Sequence, residues 1–289
     1  MKKVIILSIV ILCGISNSFA QEENKKDRGN KDFSEILPHG GDFALGMDVV
    51  NLVKTINNSI TNANSGNSVV AFRSDFFGKY FLNTRNALRF RLGIGLNNST
   101  NRAFVRDDAA NLLNPITNDP LLEIKTVDVR KLRNTTLELG IGYEYRRSLW
   151  RVQGYVGAEI FGGTILHKNT FEYGNPMTET NQQPTFDPLT DLNNPLPNLL
   201  GYRPLQSKGG NTLTAGAALF VGADIFLCRN LSIGAEFNLE GRYNRTGELN
   251  MLTETWILQQ AYKAKEAIIP VTSSFRLLPI GRLNLSIYF

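Results

Sequence analysis

Residues 87–97 read Ala-Leu-Arg-Phe-Arg-Leu-Gly-Ile-Gly-Leu-Asn, and polarity changes at almost every step. Leu88, Phe90, Leu92, Ile94 and Leu96 share one parity, while Ala87, Arg89, Arg91, Gly93 and Gly95 share the other. A helix would mix the two sets around its surface. In an extended strand successive side chains point to opposite sides, so one face here is continuously apolar and the other is basic and small. Such a strand divides two different solvents.

The same contrast recurs on both sides of this stretch. Leu137, Leu139, Ile141, Tyr143 and Tyr145 alternate with Glu138, Gly140, Gly142 and Glu144. Phe43, Leu45, Met47 and Val49 oppose Ala44, Gly46 and Asp48; Val70, Phe72, Phe76 and Tyr80 oppose Arg73, Asp75, Phe77 and Lys79. Val152, Val156, Ala158 and Ile160 oppose Gln153, Tyr155, Gly157 and Glu159. Residues 213–225, 231–240 and 282–289 repeat the pattern, with Asp224, Glu236, Glu240 and Arg282 on the polar parity. This predicts about eight strands of roughly 9 to 13 residues, long enough to cross a bilayer when tilted.

The connections alternate in length. Those at 83–86, 148–151 and 228–230 are tight, whereas 51–67, 97–134, 165–211 and 243–268 are long. The expected fold is all-β: an antiparallel up-and-down transmembrane β-barrel with short periplasmic turns and long extracellular loops. Eight strands are expected, or ten if two more lie within the loops. A soluble sandwich gives no reason for the alternation. Tyr80, Phe81, Tyr143, Tyr145, Trp150, Phe226, Tyr288 and Phe289 lie beside the short turns and the C-terminus, where an interfacial aromatic girdle is expected.

Composition narrows the class further. The 289 residues include 25 Gly, 11 Pro and 2 Cys, with 42% hydrophobic and 20% charged residues, which excludes collagen, a disulfide scaffold and an intrinsically disordered chain. The longest apolar run is residues 4–15, too short for a membrane helix of about 20 residues. With Lys2 and Lys3 before it and Ser18-Phe19-Ala20 after it, residues 1–20 read as a secretory signal peptide. Cys13 follows Ile11-Leu12, where a lipid-anchored precursor carries small residues. Residues 21–41 read as a periplasmic tail and 42–289 as the barrel domain. Removing Lys2 and Lys3 lowers the formal charge from +5 to +3, with the basic residues scattered, so nothing favours nucleic acid as a partner. Cleavage leaves a single cysteine, Cys228, and no internal disulfide.

If the apolar parity faces lipid, the lumen holds Asp48, Asp75, Glu138, Glu144, Glu159, Asp224, Glu236 and Glu240 against Arg73, Lys79, Arg89, Arg91 and Arg282. Unpaired buried charge is expensive, so a network of ion pairs filling a narrow barrel is the expected arrangement. A narrow path for ions, lined by the surplus carboxylates, is the alternative. Replacing lumen glycines such as Gly157 and Gly222 by Ser is expected to be milder than placing Arg on the lipid face.

Function is expected on the loops that such a scaffold presents. The 165–211 loop carries Pro176, Pro184, Pro188, Pro195, Pro197 and Pro204, a composition that resists helix and strand pairing. Residues 249–267 are less polar than a free loop, and can extend a hairpin, cap the lumen or dock a partner; Trp256 is the contact candidate. No catalytic, cofactor or metal motif is present: His39 and His167 lack a spaced partner, and only His167 with Asp187 or Asp191 invites a rim hydrolase.

The C-terminal run Gly281-Arg282-Leu283-Asn284-Leu285-Ser286-Ile287-Tyr288-Phe289, the Phe-Ala-Gln junction at 19–21 and residues 76–96 together resemble the outer membrane β-barrel proteins of Gram-negative bacteria. The resemblance is to the small, porin-like or OmpX-like barrels with Asn- and Pro-rich loops of Bacteroidota. It implies outer-membrane localisation, outer-membrane lipid as solvent, and recognition of Leu283, Leu285, Ile287 and Phe289 by the barrel assembly machinery. No periplasmic peptidoglycan-binding domain is expected after the last strand. The expected role is structural or surface-interacting and non-enzymatic, with an extracellular ligand or protein as possible partner; the alternative is a narrow porin for ions or small solutes.

Overall fold

The computed structural model describes residues 36–51, 53, 68–113, 123–187 and 202–289. The expected signal peptide, Cys13, most of the tail, Asp191 and parts of three long loops lie outside the described residues. The strands are β1 (Phe43–Asp48), β2 (Ser68–Phe81), β3 (Asn86–Arg106), β4 (Lys125–Leu149), β5 (Val152–Glu172), β6 (Arg203–Gly209), β7 (Thr212–Cys228), β8 (Leu231–Thr246), β9 (Leu249–Ile257), β10 (Gln260–Ile269) and β11 (Thr272–Tyr288), with a short helix α1 (Asp108–Leu113) after β3. All pairings are antiparallel.

Eight of these strands close on themselves in the order β1-β2-β3-β4-β5-β7-β8-β11, with β11 returning to β1. The fold is therefore a closed eight-stranded antiparallel barrel of the transmembrane type. Strands β6, β9 and β10 stand outside the cylinder and continue the sheet from the upper part of β5 in the order β5-β6-β9-β10. The 249–267 segment is thus largely a hairpin, turning through Leu258 and Gln259, both at positive φ.

The apolar parity lies outside, where Phe90, Leu92, Leu139, Ile141, Ile160, Leu219 and Ile233 are all exposed. The polar parity is buried inside. Water on the outer face would leave a belt of bare hydrocarbon, whereas lipid solvates it without penalty and lets the closed ladder satisfy every wall peptide. Among the described residues no helix is long and apolar enough to cross a membrane, which says nothing of the strands.

Strand extent differs from expectation. Strand β4 has 25 residues and β3 and β5 have 21 each, about twice what a bilayer crossing needs. Above the belt both faces of the sheet meet water or polar protein, so alternation fades although pairing continues. Residues 97–106 and 125–134 consequently pair as the two arms of a long hairpin, with Arg106 opposite Lys125 and α1 following the first arm.

At the other end the turns are tight for local reasons. The Asn83 side chain accepts hydrogen bonds from the Arg85 and Asn86 amides at 2.9 Å each, an Asx turn that reverses the chain. The β4–β5 turn needs only Trp150 and Arg151, with Trp150 at φ 57°. Phe43 and Phe289 exchange backbone hydrogen bonds here, so β1 begins and β11 finishes at the short-turn end.

The aromatic girdle is only partly as expected. Tyr80, Tyr143, Tyr145, Trp150 and Phe289 face outward, but Phe81, Phe226 and Tyr288 are buried inside the barrel mouth. They pack with Ala44 and Ala87 into a small core, with rings of Tyr288 and Phe226 5.0 Å apart. Their parity is that of the lumen, and an interior end with few charges is filled by rings. Ile36 and Leu37 pack on this core, and the Gly41 amide bonds the Phe81 carbonyl at 2.7 Å. The last residues of the expected tail therefore form part of the barrel floor.

Candidate functional site

The lumen is crossed by ion pairs from seven of the eight wall strands. From β3, Arg89 grips Glu236 of β8 through two hydrogen bonds of 2.5 and 3.0 Å, and also reaches Glu144 of β4 at 3.4 Å and Glu159 of β5 at 3.5 Å. Two residues on, Arg91 bonds Glu159 and Glu138 at 2.6 Å each and lies 3.9 Å from Asp75 of β2. Arg282 of β11 links Glu240 at 2.9 Å, Glu236 at 3.4 Å and Asp75 at 3.4 Å. Lys79 sits 3.4 Å from Glu144 and 3.5 Å from Asp224 of β7. Each of these groups is almost fully buried.

Two more arginines complete the network, and both escaped the sequence reading. Arg146 bonds Glu144 at 2.6 Å, Asp224, and Gln153 at 2.8 Å. Arg242 forms two bonds with Glu138, of 2.7 and 2.9 Å, and two with Glu240, of 2.8 and 3.0 Å. Each is the next residue on the lumen parity after the last one that alternation reveals, Glu144 and Glu240, so extending the parity by two residues finds them. Conversely, Arg73 is exposed and stands apart from this network. Asp48 is buried but holds local backbone, accepting the Val50 amide at 2.9 Å and the Asn51 amide group at 3.0 Å.

Aromatic rings fill the space between the charges. Arg89 lies 4.3 Å from the Phe77 ring centre and 4.5 Å from that of Phe220, and Arg242 4.8 Å from Phe161, distances at which a cation gains from a ring face. The rings fit because the opposing wall lacks side chains. A Cβ on Gly157 would meet the Phe220 ring at 2.4 Å and the Tyr143 carbonyl oxygen at 2.2 Å, and one on Gly222 would meet the Tyr155 ring at 2.5 Å. These glycines are sockets, so even a small side chain there presses on the ring that the site seats.

A second polar core lies in the sheet extension beyond the belt. Asp128, fully buried, accepts the amides of Gly174 and Asp187 at 2.9 Å each. Asn175 accepts the Asp108 amide at 3.0 Å and donates to the carbonyls of Arg106 and Thr185. Arg203 pairs with Glu254, donates to the Asn175 carbonyl at 2.7 Å and lies 4.7 Å from the Tyr173 ring centre. These bonds fold residues 173–187 onto β4, β6, β9 and α1. Burial opposes ionisation of Asp108, but bonds from Thr185 and Asn181, with Arg106 nearby, hold its carboxyl below the usual range. Burial raises the Tyr173 phenol despite Arg203.

The remaining candidates are placed as follows. Trp256 is half-buried on β9, opposite Ala261 of β10. His167 bonds Asn134 at 2.9 Å, an amide in place of a catalytic acid. Among the described residues no group of His, Cys, Asp and Glu stands together in a way that could hold a metal ion. Cys228 is free and exposed. Leu283, Leu285, Ile287 and Phe289 all face outward on the last strand.

No family model matches the chain, and no curated protein matches it. Among solved structures, the crystal structure of the outer membrane protein OprG from Pseudomonas aeruginosa is similar at 12% identity, over 88% of this chain and 98% of that chain, with a TM-score of 0.29.

Proposed function

We propose that this chain is an outer-membrane barrel, of the small Bacteroidota type it resembles, whose lumen is locked shut by its ion pairs and whose folded outer cap presents a binding surface for an extracellular ligand or protein. The observation that carries this reading is the lumen network itself: cations and carboxylates from opposite walls meet at hydrogen-bond distance and aromatic rings occupy the gaps, a packed interior instead of a channel. An eight-stranded cylinder has room for little more than its own side chains. The cap supports the other half, because its buried bonds spend order on a surface that barrel closure does not require. No step of this role needs catalysis.

A narrow porin is the second reading, favoured by one observation: Lys79, Arg89, Arg91, Arg146, Arg242 and Arg282 face seven paired carboxylates plus Asp48, a negative excess suited to a cation. The outward row Leu283, Leu285, Ile287 and Phe289 is proposed as the signal for the assembly machinery.

Protease treatment of intact cells, with gel migration of unboiled and boiled outer membranes, tests the placement. A heat-modifiable band, cut only within the long loops and scarcer when Phe289 is deleted, agrees with it; a periplasmic protein without heat shift refutes it. Swelling of liposomes in small sugars separates the readings, since a locked lumen gives none.

A further inference from the structure

One row of side chains on the outer face of the sheet is unexplained by barrel or cap. Register aligns Asn98 of β3, Arg133 of β4, Lys168 of β5, Lys208 of β6 and Asn250 of β9 directly opposite one another. The three cations are thus neighbours on adjacent strands about 4.8 Å apart, all exposed. Like charges directly opposite each other destabilise a sheet. No acid lies in the row, and none of the ion pairs among the described residues involves these three cations. The nearest acid along β5, Glu172, is taken by Lys131 at 2.5 Å.

The position of the row identifies what would neutralise it. The row immediately below consists of Leu96, Thr135 and Leu166, the upper border of the apolar belt. An amphiphile whose acyl chains lie along Leu137, Leu139 and Ile160 therefore brings its headgroup to Arg133, Lys168 and Lys208. Arginine and lysine side by side suit phosphate oxygens. At the flank, half-buried Asn98 stands directly opposite Arg133 and adds an amide side chain beside the cations.

We infer that Asn98, Arg133, Lys168 and Lys208 form a docking site for the headgroup of a phosphorylated glycolipid from the surrounding leaflet. The inference rests on the outer-membrane reading, which supplies such a lipid on the long-loop side. The site fixes the barrel's depth and anchors the cap over its lipid annulus.

The test titrates the detergent-purified full chain with diphosphoryl lipid A in mixed micelles, following binding by native mass spectrometry. Wild-type protein retains the lipid, and Arg133→Gln/Lys168→Gln/Lys208→Gln binds on the order of 100-fold more weakly, about fivefold per cation at an anionic surface. Lipid A stripped of phosphate binds the wild type no better than the triple variant binds the phosphorylated form. Should the triple variant not fold, Lys168→Gln alone loses about fivefold while Lys131→Gln, whose partner is Glu172, changes less than about twofold. Equal binding by wild type and variants, or by both lipid forms, overturns the inference. Displacement of the lipid by millimolar inorganic phosphate overturns the lipid assignment. Both results are distinct from failure of the outer-membrane reading, which shows as loss of the heat-modifiable band.

Discussion

Glu236 carries more of the lumen than any other carboxylate, and its removal measures whether the interior is truly closed. It accepts Arg89 at 2.5 and 3.0 Å, the Tyr155 hydroxyl at 3.0 Å and the Asn238 amide at 2.8 Å, and lies 3.4 Å from Arg282. Hydrogen bonds to a charged group contribute about 1.5 to 3 kcal/mol each, and orphaning one partner of a buried pair costs about 3 to 5 kcal/mol. Simple summation overshoots, because Arg89 keeps Glu144 and Glu159 at 3.4 and 3.5 Å. We therefore expect Glu236→Ala to lose about 3 to 4 kcal/mol, and Glu236→Gln to lose less, since its single amide oxygen keeps one of the two acceptor positions that Tyr155 and Asn238 use. Asp48→Ala, which removes local backbone bonds and no ion pair, serves as control at about 1 kcal/mol. Adding Arg89→Met to Glu236→Ala should recover part of the loss, because the unpaired cation is then gone. The assay is reversible urea unfolding in micelles, followed by fluorescence of Trp150 and Trp256. A Glu236→Ala value within about 1 kcal/mol of wild type would mean water screens these charges, and the packed-lumen argument would fail.

Three further outcomes follow from other parts of the molecule. Leu92→Arg or Ile141→Arg places a cation on the lipid face and should destabilise the barrel by about 2 to 4 kcal/mol near the midplane, whereas Thr135→Arg, at the belt's border, should cost well under half of that in the same unfolding assay. Gly157→Ala drives a methyl group into the Phe220 ring and the Tyr143 carbonyl, so it should reduce the folded fraction on unboiled gels, and Gly157→Ala with Phe220→Leu should restore part of it. The Asp108 carboxyl is held below its usual range, so its contribution to docking of residues 173–187 is complete above the unfolded pKa of about 4 and is lost as pH falls through the lower folded value. The protection factor of the Thr185 amide, its rate taken relative to the unfolded chain at the same pH, should therefore hold at pH 5 and fall only in stronger acid, while Asp108→Asn should remove that pH dependence.

How much of this is legible in the chain follows from where two solvents meet. Inside the bilayer, lipid on one side and a polar lumen on the other write a strict period of 2, so residues 87–97 and 137–145 reveal strand, register and facing directly. The lumen carboxylates Glu138, Glu144, Glu159, Asp224, Glu236 and Glu240 are readable for the same reason. Contrast ends at the belt's edge, and there the reading stops too soon: Arg146 and Arg242 lie one step past it, and the continuations of β3, β4 and β5 look like loop because both faces are polar. Arg73 shows the converse, since parity gives the face but not the depth. The cap is the least legible part. Its bonds join Asp128, Asn175 and Arg203 across long sequence separations, and no local pattern marks which Asn of an Asn-rich loop is buried. Phe81, Phe226 and Tyr288 lie beside turns, where a girdle is expected, but on the lumen parity, and parity decides that they face inward.

The central claim is that ion pairs close the lumen. Single-channel recording of purified wild-type protein in planar bilayers, with heat-modifiable migration confirming that the inserted sample is folded, tests it most directly. Folded wild type is expected to give no resolved conductance steps in molar potassium chloride at any voltage the bilayer withstands. Regular ohmic steps from the folded wild type would contradict it and establish the narrow porin instead.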